Sequence, residues 1–410
     1  MHTPIYLDRP SDVDTFLASI GNVRRIALDT EGASFHRFVD RIYLLQLSTR
    51  EQTAIIDPVP IGRPATLGQL LEDAAVEVVF HDADYDLRLL WQDYGWHIRN
   101  IFDTRVAAQL LGIRAFGLAA LLERYFGVKL DKKFQRADWS MRPLPQGMLD
   151  YAAQDTIHLL ELRDRMEGDL ERAGRLEWAR EEFSLLEGTR WPEEDPANGF
   201  MRIKGARDLT RRELAVFREL IPWRDEIARH LDRATFRVIG NEQLLEIARR
   251  QPKSRDELAA IKGVPRGLLD SRASELLETI ARGVAVPDSA LPRFPKAPRW
   301  DRDAEFDSRV SALKTVRDAT ATRLDLDPGV LCSRDRLEAV ARTNPATHEA
   351  LETVNELRGW QRALLGEDFL KALRGMRRAP KTEPAAKPES VAKPELAEDA
   401  ESDESPYRPM

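Results

Sequence analysis

In the first third of this chain the acids gather where short apolar runs end, and a fold must bring those ends together. Ile26-Ala27-Leu28 leads into Asp29-Thr30-Glu31, and Val78-Val79-Phe80 leads through His81 into Asp82, Asp84 and Asp86. A third cluster, Tyr151-Ala152-Ala153-Gln154-Asp155, sits in a helical pattern. Residues two apart on a strand share a face, so Asp29 and Glu31 project together. Residues four apart on a helix are neighbours, so Tyr151 and Asp155 share a face. Asp86 falls in the first turn of a helix expected over 84–93, with Asp82 and Asp84 read as its caps. Three segments can thus deliver four acids to one sheet edge. Carboxylates crowded in this way repel and take up protons unless cations neutralise them. Oxygen-only ligands favour Mg²⁺ or Mn²⁺ over Zn²⁺. Two such ions, about 3.5–4 Å apart, stabilise both the entering and the leaving oxygen of a phosphoryl displacement. The pattern points to metal-dependent cleavage of a phosphodiester chain.

At 410 residues the chain is too long for one ordinary core, so two or three domains are expected. Over 1–190 strand and helix signals alternate. Strands are expected at 24–28, 42–47, 53–56, 76–80 and 98–102, the second and third forming a hairpin across a polar turn. Helices are expected at 67–74, 84–93, 105–111, 118–126, 146–166 and 174–186. A hairpin followed by β-α-β-α and a helical cap implies a mixed sheet with helices on its faces. The polar break Trp191-Pro192-Glu193-Glu194-Asp195-Pro196 ends this region. Two all-helical segments follow, at 205–285 and 300–376, joined by a Pro-rich linker. Their similar length and punctuation read as an internal duplication. From 379 to 410, Lys-Pro-Glu units and an acidic run lack the apolar content to fold.

A net charge of −7 is unpromising for a nucleic-acid binder, because phosphate contacts need Lys and Arg. Residues 379–410 hold 8 acids against 4 bases, however, and so carry −4 of that total. The four clustered acids would be offset by bound cations, and local basic patches can still grip a backbone. No apolar run of about 18 residues exists to span a bilayer. The start lacks the basic-then-apolar pattern of a signal peptide. The single cysteine, Cys332, excludes an intramolecular disulfide framework and a thiolate zinc site. A cytoplasmic location is the default expectation. No Gly-rich phosphate loop is present, so NTP-driven activity has no support.

In these clusters the chain resembles the DEDD exonucleases, specifically the tyrosine-bearing branch that includes ribonuclease D. Asp29 and Glu31 match the first motif of that family, Asp86 the second, and Tyr151 with Asp155 the third. The Phe134-Gln135-Arg136-Ala137-Asp138-Trp139 stretch is similar to the segment preceding the third motif. The two helical segments look like HRDC domains, the first more clearly, through Trp223-Arg224-Asp225-Glu226-Ile227-Ala228-Arg229. The resemblance implies an α/β ribonuclease-H-like exonuclease domain followed by two small all-α HRDC-like domains. It also implies 3′ to 5′ polarity and two divalent metal ions, Mg²⁺ or Mn²⁺. Asp29 would bridge the ions, Glu31 and Asp155 would complete one site, and Asp86 would hold the other ion. Tyr151 would orient the attacking water.

Hydrolysis from an end needs a channel for single-stranded nucleic acid, built from rings that stack and cations that track phosphates. Phe35 and His36 follow the first motif, Gln46 lies on the adjoining strand, and Lys133 and Trp139 stand just before the third. Arg211 and Arg250 are the candidates on the first helical module. Trp139 could instead be a core aromatic, and His81 is read as fixing the turn after its strand rather than touching metal. The leading expectation is a 3′–5′ exoribonuclease acting on single-stranded 3′ ends of structured RNA, tRNA precursors being the family's usual substrate. The alternatives are a 3′–5′ DNA exonuclease of the same branch and an inert nucleic-acid-binding scaffold. Oligomeric state has no signature in the sequence.

Overall fold

The computed structural model describes residues 4–131, 133–192, 195, 198–295 and 304–378. The expected tail at 379–410 lies outside them. The first part carries strands β1 (Ile5–Leu7), β2 (Arg25–Glu31), β3 (Leu44–Ser48), β4 (Thr53–Ile56), β5 (Glu77–Phe80) and β6 (Ile101–Asp103). Its helices are α1 (Pro10–Ile20), α2 (Pro58–Ile61), α3 (Ala65–Glu72), α4 (Asp84–Tyr94), α5 (Thr104–Leu110) and α6 (Leu118–Phe126). Three more, α7 (Gln146–Ile157), α8 (Leu159–Arg172) and α9 (Leu176–Leu186), complete it. The six strands form one mixed sheet in the order β1-β4-β3-β2-β5-β6. β2 pairs antiparallel with β3 and parallel with β5, and β3 with β4 is the expected hairpin.

Two strands differ usefully from expectation. β2 does not stop at residue 28, because antiparallel pairing continues to Glu31 opposite Leu44. Both acids therefore stand inside the hydrogen-bonded sheet, held more rigidly than loop residues. The edge strand β1 and helix α1 were not expected at all; β1 adds to the sheet by parallel pairing with β4.

The helix expected over 146–166 is broken at His158, whose φ of −98° and ψ of −6° close α7 and open α8. The break lets each half face a different partner. α7 lies across β2, β3 and β4, whereas α8 packs on α5, β2 and β5.

The remainder is helical. α10 (Arg211–His230), α11 (Thr235–Val238), α12 (Asn241–Arg250), α13 (Arg255–Ala259) and α14 (Arg266–Val284) form a first bundle. α15 (Phe306–Leu324), α16 (Pro328–Leu331), α17 (Arg334–Thr343), α18 (His348–Glu352) and α19 (Gly359–Arg378) form a second. The same order of long, 4-residue, 10-residue, 5-residue and long helices recurs in both, which is the duplication expected from sequence. In the first bundle α10 starts at a reciprocal capping box between Thr210 and Glu213. It crosses α14 so closely that a Cβ on Gly283 would meet the Val216 Cα at 2.4 Å. Among the described residues no helix is long and apolar enough to cross a membrane.

Candidate metal centre

β2 and α7 bring three carboxylates together. One oxygen each from Asp29, Glu31 and Asp155 lies within 4.8 Å of the others, all three residues being half-buried. The fourth acid, Asp86, stands outside this tight group. It is buried in the first turn of α4, where one oxygen accepts from the Thr30 amide at 3.0 Å and from the Thr30 hydroxyl at 2.6 Å. Thr30 points to the opposite side of β2 from its two acidic neighbours. The strand thus presents two acids on one face and anchors a third from behind.

Electrostatics make this arrangement costly without a counter-charge. Burial pushes Asp29 well above the usual carboxylate range, and repulsion from Asp86, Asp155 and Glu31 adds to it. Burial, then Asp155 and Asp86, do the same to Glu31. Burial also raises Asp155 and Asp86, opposed at Asp86 by the Thr30 hydrogen bonds. Groups that share a cavity and hold each other's protons on are a site for a hard cation, which releases those protons and takes oxygen ligands. The donor set present fits a divalent ion.

Tyr151 lies on the same face of α7, one turn before Asp155. Its ring is held between Phe134, edge-on at 5.9 Å, and Trp139, at 6.1 Å. Burial first, then the charges of Asp155, Glu31 and Asp29, raise its hydroxyl above the ordinary tyrosine value. The phenol stays protonated, as an orienting group requires.

The expected substrate residues divide. Phe35 is 46% exposed and meets Phe236 of the first bundle edge-on at 6.2 Å, with the Arg136 guanidinium 5.5 Å above its ring. Lys133 lies over Phe134, the ring that meets Tyr151 edge-on. His36 is already engaged, its Nε2 donating to the Arg136 carbonyl at 3.1 Å while Arg237 approaches Nδ1 at 3.3 Å. Trp139 is no channel residue: at 1% exposure it sits in a small core with Leu44, Ile55, Met148, Ala152 and Ala153. Gln46 is fully buried opposite Asp29, which removes it from any open channel. Arg211 ties down the segment after α14 through the Asp288 and Leu291 carbonyls, and Arg250 pairs with Glu246 on its own helix.

Asp82 and Asp84 are not caps. Asp82, at φ 68°, pairs with Arg105, and Asp84 pairs with Arg88. α4 starts at Ala83 with no side-chain cap. The buried Asp103 at the end of β6 caps α5 through the amides of Arg105 and Val106, and it also holds the amides of Asp82 and Ala83 in the turn before α4. That role was not readable locally, because Asp103 lies some twenty residues away. Thr30 was missed for a similar reason, its hydroxyl being one among many in the sequence. His81 fixes the turn as expected: Thr104 donates to the Phe80 carbonyl, so the His81 Nδ1 donates to Thr104 at 2.9 Å.

A mixed sheet carrying two acids on β2, with a tyrosine and a third acid facing them from α7, is the scaffold of a 3′–5′ exonuclease domain. Residues 4–171 match the family model described as 3′-5′ exonuclease, and residues 213–280 and 307–373 each match the HRDC domain. A ribonuclease D of Granulibacter bethesdensis is 31% identical over 376 residues, covering 91% of this chain and 93% of the relative. The crystal structure of Escherichia coli RNase D, described as an exoribonuclease involved in structured RNA processing, superposes with a TM-score of 0.69. That match has 25% identity and covers 92% of this chain and 99% of the other. The catalytic core of RRP6 from Trypanosoma brucei gives a TM-score of 0.59 at 31% identity, over 71% and 84% of the two chains. The chain belongs to the ribonuclease D family and is a 3′–5′ exoribonuclease.

Proposed function

We propose that Asp29, Glu31, Asp86 and Asp155 hold two divalent cations, Mg²⁺ or Mn²⁺, and that the enzyme trims the 3′ ends of structured RNA, tRNA precursors among them, in the cytoplasm. The observation that carries the site is the buried oxygen triad of Asp29, Glu31 and Asp155, whose mutual repulsion a cation would relieve. When bound, such ions supply a water of lowered pKa and a counter-charge for the displaced oxygen. The protein's own side chains then have distinct tasks. Asp29, one of the triad, also feels the charge of Asp86, which suits it to be shared between ions. Thr30 fixes Asp86 so that only its second oxygen is free. Tyr151, protonated and wedged between two rings, orients the water that attacks the terminal phosphodiester.

The strand entering this site would pass the loop after β2. Phe35 and Phe236 offer an exposed aromatic pair with the Arg136 cation over Phe35, and Lys133 offers a second cation over Phe134. Exposed rings flanked by cations suit single-stranded nucleic acid, in which every base has a face to stack. The proposal is tested with end-labelled RNA carrying a structured body and a short 3′ trailer, with matched DNA, in Mg²⁺, Mn²⁺ or chelator. Stepwise loss from the RNA 3′ end that requires metal and is abolished in Asp155→Asn is the expected result. Cleavage that survives that substitution would place the chemistry elsewhere.

A further inference from the structure

Gln46 is fully buried, and neither its Oε1 nor its Nε2 has a hydrogen-bond partner in the protein. A buried amide left in this way costs about 1–3 kcal/mol per unsatisfied group, so the position needs an explanation. Its surroundings give one. Gln46 is directly opposite Asp29 in the β2–β3 pair, and residues so paired point to the same face. Its neighbours two residues away on β3 fix which face that is. Leu44 packs with Ala152 and Ala153 of α7, and the Ser48 hydroxyl bonds the Thr156 hydroxyl of α7 at 2.7 Å. Gln46 lies between them, beneath α7, on the side where Asp29, Glu31 and Asp155 converge. Leu44 and Ile55 beside it are apolar and no protein group bonds the amide, so the fold itself does not require one here; a methionine would fill the same volume.

We infer that Gln46 is a positioning residue of the cation site, whose amide takes its hydrogen bonds from the hydrated divalent ion held by Asp29, Glu31 and Asp155. This rests on the cation-site reading above. An amide suits the task because it offers an acceptor and two donors without adding charge to a site already crowded with carboxylates. A small hard ion such as Mg²⁺ keeps several of its waters, and those waters need fixed partners. Groups that orient a metal's surroundings in this way are typically worth 10–100-fold in affinity.

The test uses the full chain and Mn²⁺ or Mg²⁺ alone, with two readouts, melting temperature and calorimetric affinity. Gln46→Met keeps length and volume but removes the amide. In chelator it is expected to melt at or above the parent, because an unsatisfied buried group has gone. Its affinity for the cation is expected to fall by about 10-fold. A lower melting temperature in chelator would show that the amide is already satisfied within the protein, and unchanged affinity would show that it does not face the ion; either overturns the inference. Gln46→Glu serves as a second variant. Its extra carboxylate should lower the melting temperature in chelator and enlarge the stabilisation gained on adding cation, and no enlargement counts against the inference. The parent separates the two levels of argument. If it gains no stability from cation and binds none, the cation-site reading itself fails; if it binds and Gln46→Met binds equally, only the role of Gln46 fails.

Discussion

Tyr151 shows how much of the chemistry is settled by one side chain's neighbours. Burial, and after it the charges of three carboxylates, raise its hydroxyl, and two aromatic rings pack against it, so it can donate but not readily surrender its proton. Removing the hydroxyl alone should therefore misplace the attacking water without disturbing the ligands. Tyr151→Phe is expected to lose about 10–100-fold in kcat, with cation affinity unchanged by calorimetry. Retention of full turnover would remove the orienting role. Asp29, Glu31, Asp86, Tyr151 and Asp155 were legible in the sequence because their relations are local: two apart on a strand, four apart on a helix, one helical turn past a strand. Trp139 and Gln46 were not, since burial of a tryptophan or glutamine is decided by the helix that comes to lie over it.

At the scale of elements, the turn from β5 into α4 is built by residues from β6 and α5. Asp103 holds the backbone at Asp82 and Ala83, and Thr104 holds His81. The ring is largely but not wholly buried, and burial, then the charge of Arg105, lower its pKa to about 4. An unfolded chain would protonate it near pH 6.5. Between those values the unfolded state takes up a proton that the folded state refuses, so stability falls as pH drops from about 6.5 towards 4. The contribution is about 1–3 kcal/mol, reduced from the full shift by the ring's partial exposure. His81→Asn keeps a donor for Thr104 but cannot titrate. Urea melts at several pH values should give it a flatter profile than the parent in that window, and parallel profiles would contradict the assignment. The three-residue strands explain why element boundaries were harder to read than the acids. β1 and β6 are too short to display an alternation, and the break at His158 reflects two packing partners rather than a helix-breaking residue.

Across the whole molecule the two bundles are fastened to the exonuclease domain by different means. The second shares its core: Phe102, Leu110, Leu160 and Phe183 belong to one apolar cluster with Phe306, Leu313, Leu331 and Trp360. Gly112, at φ 79°, lets the chains approach until an added Cβ would meet the Asp325 carbonyl at 2.3 Å. Arg175 spans the Leu110 and Leu324 carbonyls, Glu181 accepts from the first amides of α19, and Trp178 stacks on Trp360 at 4.7 Å. The first bundle keeps its own core and touches the loop after β2 through Phe38, which packs against that core, through the Phe35–Phe236 pair and through polar ties. Asp232 engages Arg37 and the Phe38 amide, and the Ala234 amide donates to the His36 carbonyl. Amphipathic helices announce that they have an apolar face but not what covers it, which is why this asymmetry was not legible from sequence. It separates stability from substrate handling. Trp360→Ala, remote from the acids, should cost about 3–5 kcal/mol and lower the temperature at which nuclease activity is lost. Phe236→Ala should leave that temperature unchanged while weakening single-stranded RNA by about 1–3 kcal/mol, the worth of one stacked base. Thermal inactivation and RNA titration on both variants check the pair: if Trp360→Ala spared the nuclease, the second bundle would be an appendage rather than part of the catalytic domain's core.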